Sequence, residues 1–432
     1  MMRPAPAVND RAPARGGYRV NPGPVSLNPQ ERGEGRGEGE SATVVHVTTV
    51  PMSLATHLSG QVGHMRARGF RVHVVASPGA ELTAFAEREG VPVHAVPMRR
   101  AITPLDDLVA VWRLWALLRR LRPAIVHSHT PKGGLLGMIA ATLARTPVRI
   151  YHVRGLPFVT ASGLRRRLLR WTEWMSCALA HRVLAVSHSM RALAVEERLC
   201  AADKIAVPLG GSGNGVDAAG KFKPLPAQVR LETRERHGIP EDALVVGFVG
   251  RLVRDKGFAE LMAAWSALRE RDRRLHLLLV GWLDDLEPDL RPLRAALEAD
   301  PRIHFTGPVS ETPGLYAAMD IVALPTYREG FPNVVLEAAA MGLPVVATSV
   351  PGCLDAVEDG VTGTLVPARD AAALERALRG YVEEPVLRAR HGEAGRRRVL
   401  SRFRREAIWD VIEAEYRMLL AARAAAPRGA RQ

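Results

Sequence analysis

No apolar run in this sequence approaches the ~18 residues that a membrane-spanning helix needs. The longest candidate, residues 135–144, is broken by Arg145 and reads as a buried helix. Nothing near the N-terminus reads as a secretory leader, because Pro, Gly, Asn and Arg stand where an apolar stretch should be. The expectation is a cytoplasmic protein. Cysteine is scarce: Cys177, Cys200 and Cys353 are far apart and form no Cys-x-x-Cys pair. That spacing offers neither a disulfide framework nor a zinc site, and it suits a reducing compartment in which the thiols are inert. Two further patterns are missing. No Gly-x-Gly-x-x-Gly follows a strand, which removes the fingerprint of dinucleotide-dependent hydride transfer. No Asp-x-Asp occurs, so the obvious divalent-metal clamp is absent, and neither a metal site nor a cofactor is expected. Aromatic residues make up only 5%, which argues against nucleic-acid binding, where aromatics and basic patches cluster near a recognised motif.

What is present is a long chain of ordinary globular composition. Its 432 residues exceed a single core, so two domains of roughly 150–200 residues are expected. Lys and Arg outnumber Asp and Glu by 59 to 45, a net charge of +14. Such a balance favours polyanions: nucleic acid, anionic lipid or phosphorylated substrates.

Residues 1–42 form a Pro/Gly/Arg/Glu-rich tail with too few apolar residues to bury anything, and are expected to be disordered. From Thr43 on, short β-branched runs alternate with helical patterns. Strands are expected at 43–49, 72–75, 91–96, 125–127, 148–151 and 183–186, and a second series at 244–249, 275–280, 303–305, 321–324, 345–347 and 364–366. Repeated βα units imply parallel, doubly wound sheets. A Gly/Pro-rich hinge at 212–226 separates the two series. The expected layout is an N-terminal Rossmann-like domain over 43–222, a second over 223–404, a helix over 405–426 and a short tail over 427–432, with a cleft between the domains.

Two runs carry chemistry. In residues 327–342 (YREGFPNVVLEAAAMG), Glu329 lies on the loop after an apolar strand. Glu337 lies inside a helix that opens at Pro332 or Asn333 and stops at Gly342. In an open α/β sheet, that strand end is where ligands bind. A loop carboxylate there can accept from sugar hydroxyls, and a deeper one can hold a vicinal pair such as those of ribose. In residues 248–257 (FVGRLVRDKG), Gly250 and Arg251 follow a strand, with Lys256 before the next helix. Backbone N–H groups, a planar fork and a point charge make a diphosphate receptor. The Walker spacing is absent.

Together the two runs resemble the Glu-x7-Glu signature and the phosphate loop of retaining glycosyltransferases of family 4. The likeness extends from Val44 to Leu420. It implies the GT-B fold, two Rossmann-like domains facing across a cleft with the C-terminal helix packing back. It implies Arg251 and Lys256 on the diphosphate of a nucleotide-sugar, Glu337 on the ribose, and Glu329 with Gly330, Phe331, Pro332 and Asn333 on the transferred sugar. The turn with Gly307 and Val309 is implied to meet the base through its backbone. Glu329 would act electrostatically rather than as a nucleophile, and the two cations would replace a metal. Uracil is the base expected from family frequency.

Residues 127–137 (HSHTPKGGLLG), 151–158 (YHVRGLPF) and 211–217 (GSGNGVD) resemble the capsule, O-antigen and exopolysaccharide branch, whose acceptors are glycans on a polyprenyl diphosphate. The acceptor is implied to enter past His129, Thr130, Lys132, Gly133 and Arg154. Arg154 occupies a slot where relatives often carry a His near the reacting carbon. His152, two residues earlier and on the same strand face, is either a compensating catalytic group or a structural one. Leu105, Leu108, Trp112, Trp115 and Leu118 form one stripe among arginines, and residues 164–171 (LRRRLLRW) form another. Such helices either dock on an anionic inner-membrane surface or face the core. The rival readings are a nucleotide-sugar epimerase of the same fold and a basic nucleic-acid-binding protein.

Overall fold

The computed structural model describes residues 41–282, 297 and 299–425. The expected tails at 1–42 and 427–432 lie outside this range except for Ser41 and Ala42. Two parallel sheets organise the chain. The first holds β1 (Thr43–Val47), β2 (Arg71–Ala76), β3 (Val93–Ala95), β4 (Ile125–His129), β5 (Val148–Val153), β6 (Arg182–Ala185) and β7 (Ile205–Ala206) in the order β3-β2-β1-β4-β5-β6-β7. The second holds β8 (Leu244–Val249), β9 (Leu275–Val280), β10 (Ile303–Phe305), β11 (Ile321–Leu324), β12 (Val345–Thr348) and β13 (Gly363–Val366) in the order β10-β9-β8-β11-β12-β13. The doubly wound parallel architecture expected from the sequence is present. The two-residue strand β7 is too short to leave a pattern and was not expected.

Parallel strands covered on both faces read as continuous apolar runs, and β1, β4, β9 and β11 are buried along their whole length. Each sheet has apolar clusters on both sides. The direction of winding reverses between β1 and β4 in the first sheet and between β8 and β11 in the second. At such a switch point the connections leave in opposite directions and open a crevice at the carboxyl ends of the strands.

The final helix, Arg405–Ala425, returns to the first sheet. Ile408, Ile412 and Tyr416 join the cluster under β1 and β2, and Trp409 Nε1 donates to Asn214 Oδ1 at 2.7 Å. Two further contacts clasp the halves together. Phe331 packs against cores of both. Asp355 accepts from the backbone N–H of His188 at 2.8 Å and of Ser189 at 3.1 Å, so a carboxylate of one half caps the helix His188–Glu196 of the other.

The helix Gly163–Leu179 is turned against its own composition. It buries Glu173, Ser176 and Cys177 while Leu164, Leu168, Trp171 and Trp174 face outward. Glu173 fixes this orientation by accepting from the Tyr151 hydroxyl at 2.6 Å. Cys177 is buried by the same packing, and Cys177, Cys200 and Cys353 are all free thiols.

Burial pushes the Glu173 carboxyl up from 4.5 to about 7. A raised carboxyl binds its proton more tightly in the folded state, so its stabilisation is complete below pH 4.5 and is lost as pH rises toward 7. The full effect is about 3 kcal/mol. Glu173→Gln keeps an acceptor for Tyr151 without the charge. It is expected to unfold at a higher denaturant concentration than the parent at pH 8, with the gap shrinking by pH 5. Parallel pH profiles would contradict this.

Candidate functional site

A cavity of about 170 Å3 lies between the two halves. Arg154, Gly155, Leu156, Val159, Met190 and Leu193 line it from the first half, and Arg251, Val253, Asp255, Lys256, Arg328, Glu329, Gly330 and Pro351 from the second. The topology explains the meeting. Arg251 follows β8, and Glu329 lies on the loop after β11, its neighbour across the switch point. Arg154 follows β5 on the opposing sheet. The loop comes so close that a Cβ on Gly330 would stand 2.0 Å from the Arg154 carbonyl oxygen. Only glycine fits there.

Of the residues assigned to the donor, Arg251, Lys256, Glu329 and Gly330 meet in this cavity. Lys256 Nζ forms an ion pair with Glu329, so a diphosphate and a sugar entering here would have to share or replace that contact. Asp255, at the same wall, accepts from Arg328 Nε at 2.9 Å and from Thr160 across the cleft at 3.4 Å. The helix starts at Asn333, with Pro332 at its N-cap, as the sequence indicated. Glu337 lies deeper, accepting from the Tyr316 hydroxyl at 2.8 Å, and burial raises its carboxyl above the ordinary value. It does not line the cavity. Gly250 and Gly307 tie the loops after β8 and β10 to the β9 end through Gly250 N to Val280 O at 2.8 Å and Gly281 N to Gly307 O at 3.1 Å. Val309 is 39% exposed beside them.

The acceptor-side assignments fare differently. Lys132 is not at the cavity: its ammonium pairs with Asp107 at 2.7 Å and donates to the Ala101 carbonyl. Its charge is already neutralised within its own domain. Gly133 is buried, its N–H donating to Thr49 Oγ1 at 2.8 Å, and Thr130 Oγ1 meets the same Thr49 hydroxyl at 2.9 Å. These groups shape the turn after β4. His129 and His152 are fully buried. His152 does not line the cavity in this arrangement, and neither of its ring nitrogens has a hydrogen-bond partner among the described residues. Of this set, Arg154 reaches the cavity.

Behind Arg154 lies a histidine group in which His129 and His152 are expected site residues, His127 opens the run 127–137, and only His46 reads as plain strand. Parallel register pairs His46 with His127 and His129 with His152, placing all four rings on one face of the sheet. His127 Nδ1 contacts the Tyr416 hydroxyl at 2.6 Å. Burial, and then the Arg154 charge, pushes the imidazoles down, His46 to about 3 and the others well below the usual range, so they are neutral at pH 7. His46, His127 and His129 have ring nitrogens close enough to share a metal ion, but the hydrogen bonds oppose it. Arg154 Nε donates to His129 Nδ1 at 3.2 Å. A neutral imidazole has one N–H, so the His129 proton sits on Nε2, where it is shared with His46 Nδ1 at 3.0 Å. Both His129 nitrogens are thus committed. A second cluster, His64, Asp410 and Glu413, is already paired with Arg68.

With this geometry in place, two family models match the chain: "Glycosyl transferase 4-like domain" over residues 39–210 and "Glycosyl transferases group 1" over 243–384. The capsular polysaccharide biosynthesis glycosyltransferase CapM of Staphylococcus aureus is 32% identical over 377 residues, spanning 87% of this chain and 97% of CapM. The UDP-Gal:alpha-D-GlcNAc-diphosphoundecaprenol alpha-1,3-galactosyltransferase of Escherichia coli is 26% identical over 324 residues, 74% of this chain and 81% of that enzyme. Among solved structures, Anabaena HepE in complex with UDP and glucose aligns with a TM-score of 0.73 at 22% identity, covering 87% of this chain and 99% of HepE. The lipopolysaccharide-biosynthesis glycosyltransferase WaaG aligns at 0.65 and 16%, covering 87% and 99%. These two likenesses speak for the fold alone, and they match the two-sheet GT-B arrangement. By its domain models and its end-to-end match to CapM, the chain belongs to the group 1, type-4-like glycosyltransferases.

Proposed function

We propose that this glycosyltransferase moves a sugar from a nucleoside-diphosphate sugar, with UDP as the nucleotide, to a glycan carried on a polyprenyl diphosphate in cell-surface polysaccharide biosynthesis. The observation that carries the reading is the convergence of Arg251, Lys256 and Glu329 at one switch point, facing Arg154 across the cavity. The polysaccharide context is supported by CapM, and the lipid diphosphate by the E. coli galactosyltransferase. HepE, crystallised with UDP and glucose, supports the nucleotide by fold.

Chemically, departure of a nucleoside diphosphate needs positive groups at the leaving oxygen, and such preorganised groups are usually the largest catalytic term. Arg251 and Lys256 supply them in place of a metal. Glu329 positions the sugar and releases Lys256 to the diphosphate as the donor enters. Transfer proceeds with retention, the leaving phosphate accepting the acceptor's proton on the same face. The test is turnover of a UDP-sugar with a polyprenyl-diphosphate glycan in EDTA, with the product's anomeric configuration read by NMR. An α-linked glycolipid from an α-donor is expected, with Lys256→Ala slower by about 10²–10³. An inverted linkage, a free epimerised sugar, or unchanged turnover in the variant would contradict it.

The acceptor's lipid calls for a membrane surface, and the first half offers one. No helix of the described residues is long and apolar enough to cross a membrane. However, the helices Pro104–Leu121 and Gly163–Leu179 flank Pro131–Leu143 on one side. The stripe on the first helix splits: Leu118 is in the core, while Leu105, Leu108 and Trp112 are exposed. On the second helix Leu164, Leu168, Trp171 and Trp174 are exposed, and the two helices also expose Arg113, Arg119, Arg165 and Arg167. Basic charge with interfacial Trp fits an anionic bilayer surface. Trp171→Glu with Trp174→Glu is expected to reduce sedimentation with phosphatidylglycerol vesicles at least several-fold, leaving the melting temperature nearly unchanged. Equal sedimentation would contradict docking by this face.

A further inference from the structure

Arg154 is a partly buried cation whose hydrogen-bond partners among the described residues are all neutral. Its hydrogen bonds go to His129 Nδ1 at 3.2 Å and to the carbonyl oxygens of His57 and Gly213, each at 3.4 Å. No carboxylate of the described residues is paired with it. Its wider surroundings are the imidazoles of His46, His57, His127 and His152 and the Tyr416 phenol, all uncharged at pH 7. Burial pulls the guanidinium down to about 9, so it remains cationic. A partly buried charge without a counterion loses part of its hydration, and an arriving anion offsets that loss.

The surroundings hold the group in place rather than merely tolerate it. A Cβ on Gly213 would stand 1.9 Å from Arg154 Nη1, so the glycine is a slot for the guanidinium. His129 can accept from Arg154 Nε only with its own proton on Nε2, and that proton is engaged by His46 Nδ1. Acceptance by His46 places its proton on Nε2, where it finds no partner. The order of tautomers therefore runs from the cleft inward: Arg154, His129, His46. Lys132, the cation expected to serve the acceptor, is occupied by Asp107, and Lys256 by Glu329.

We propose that Arg154 is the diphosphate-binding residue of the N-terminal half, held toward the cleft by His129 and His46 acting as positioning residues. This rests on the glycosyltransferase reading and adds to it a cation facing Arg251 and Lys256 from the opposite wall. Both substrates carry a diphosphate, the donor on its nucleoside and the acceptor on its lipid, and either supplies the chemistry that a planar fork recognises.

The experiment measures binding of inorganic pyrophosphate, UDP and a short-chain polyprenyl diphosphate to the full-length protein and its variants. Arg154→Gln is expected to weaken pyrophosphate roughly ten- to hundred-fold, the range for losing a charge-assisted pair. Gly213→Ala, which keeps the charge but fills its slot, is expected to do the same in part, and guards against a misfolded Arg154 variant. His129→Leu should follow Arg154→Gln, while His129→Gln, which restores an acceptor, should recover affinity. A loss confined to UDP places the donor's diphosphate on Arg154; a loss confined to the prenyl diphosphate places the acceptor's there. Unchanged affinity for all three ligands in Arg154→Gln and Gly213→Ala would overturn the inference while leaving the functional reading intact. A parent protein that binds none of the three would overturn both.

Discussion

Positive charge without full compensation organises the cleft. On one wall Lys256 is held by Glu329; on the other Arg154 has only neutral acceptors. Each charge is partly covered by the surrounding protein, so it acts at a lower effective dielectric than on the open surface. A ligand bringing two phosphates would settle both walls at once. The parallel topology makes this possible, because the carboxyl ends of β5, β8 and β11 deliver their loops to the same place.

Holding those walls together is a matter of close backbone approach. Gly330 touches the Arg154 carbonyl, Phe331 is shared by both cores, and Asp355 caps a helix of the opposite half. All three lie on or beside the loop that carries Glu329. Lys256 and Glu329 sit on loops of the same sheet, so a separation of the halves would carry them together away from Arg154.

Much of this was legible in the residues. The strands announce themselves as β-branched apolar runs, and residues 248–257 and 327–342 carry their glycines, cations and carboxylates in local order. What was not legible depends on long-range pairing. Lys132 looks available until Asp107, from the preceding helix, is brought beside it. His46 reads as an ordinary strand residue because its partners lie on strands far away in sequence. The stripe on Pro104–Leu121 shows that a face exists, but periodicity does not say whether core or solvent meets it, and here it meets both. Glu173 gives no signal that it will turn Trp171 and Trp174 outward, since that orientation is set by Tyr151 on β5.

We propose that side-chain cations, rather than a metal ion, recognise a diphosphate in this cleft. Calorimetric titration of UDP against UMP in EDTA, at low and high salt, tests it most directly. The account predicts that UDP binds at least ten-fold more tightly than UMP, about 1.4 kcal/mol, and that the difference shrinks as salt rises. Equal affinities for the two nucleotides, or a preference for UDP that emerges only when a divalent cation is added, would contradict it.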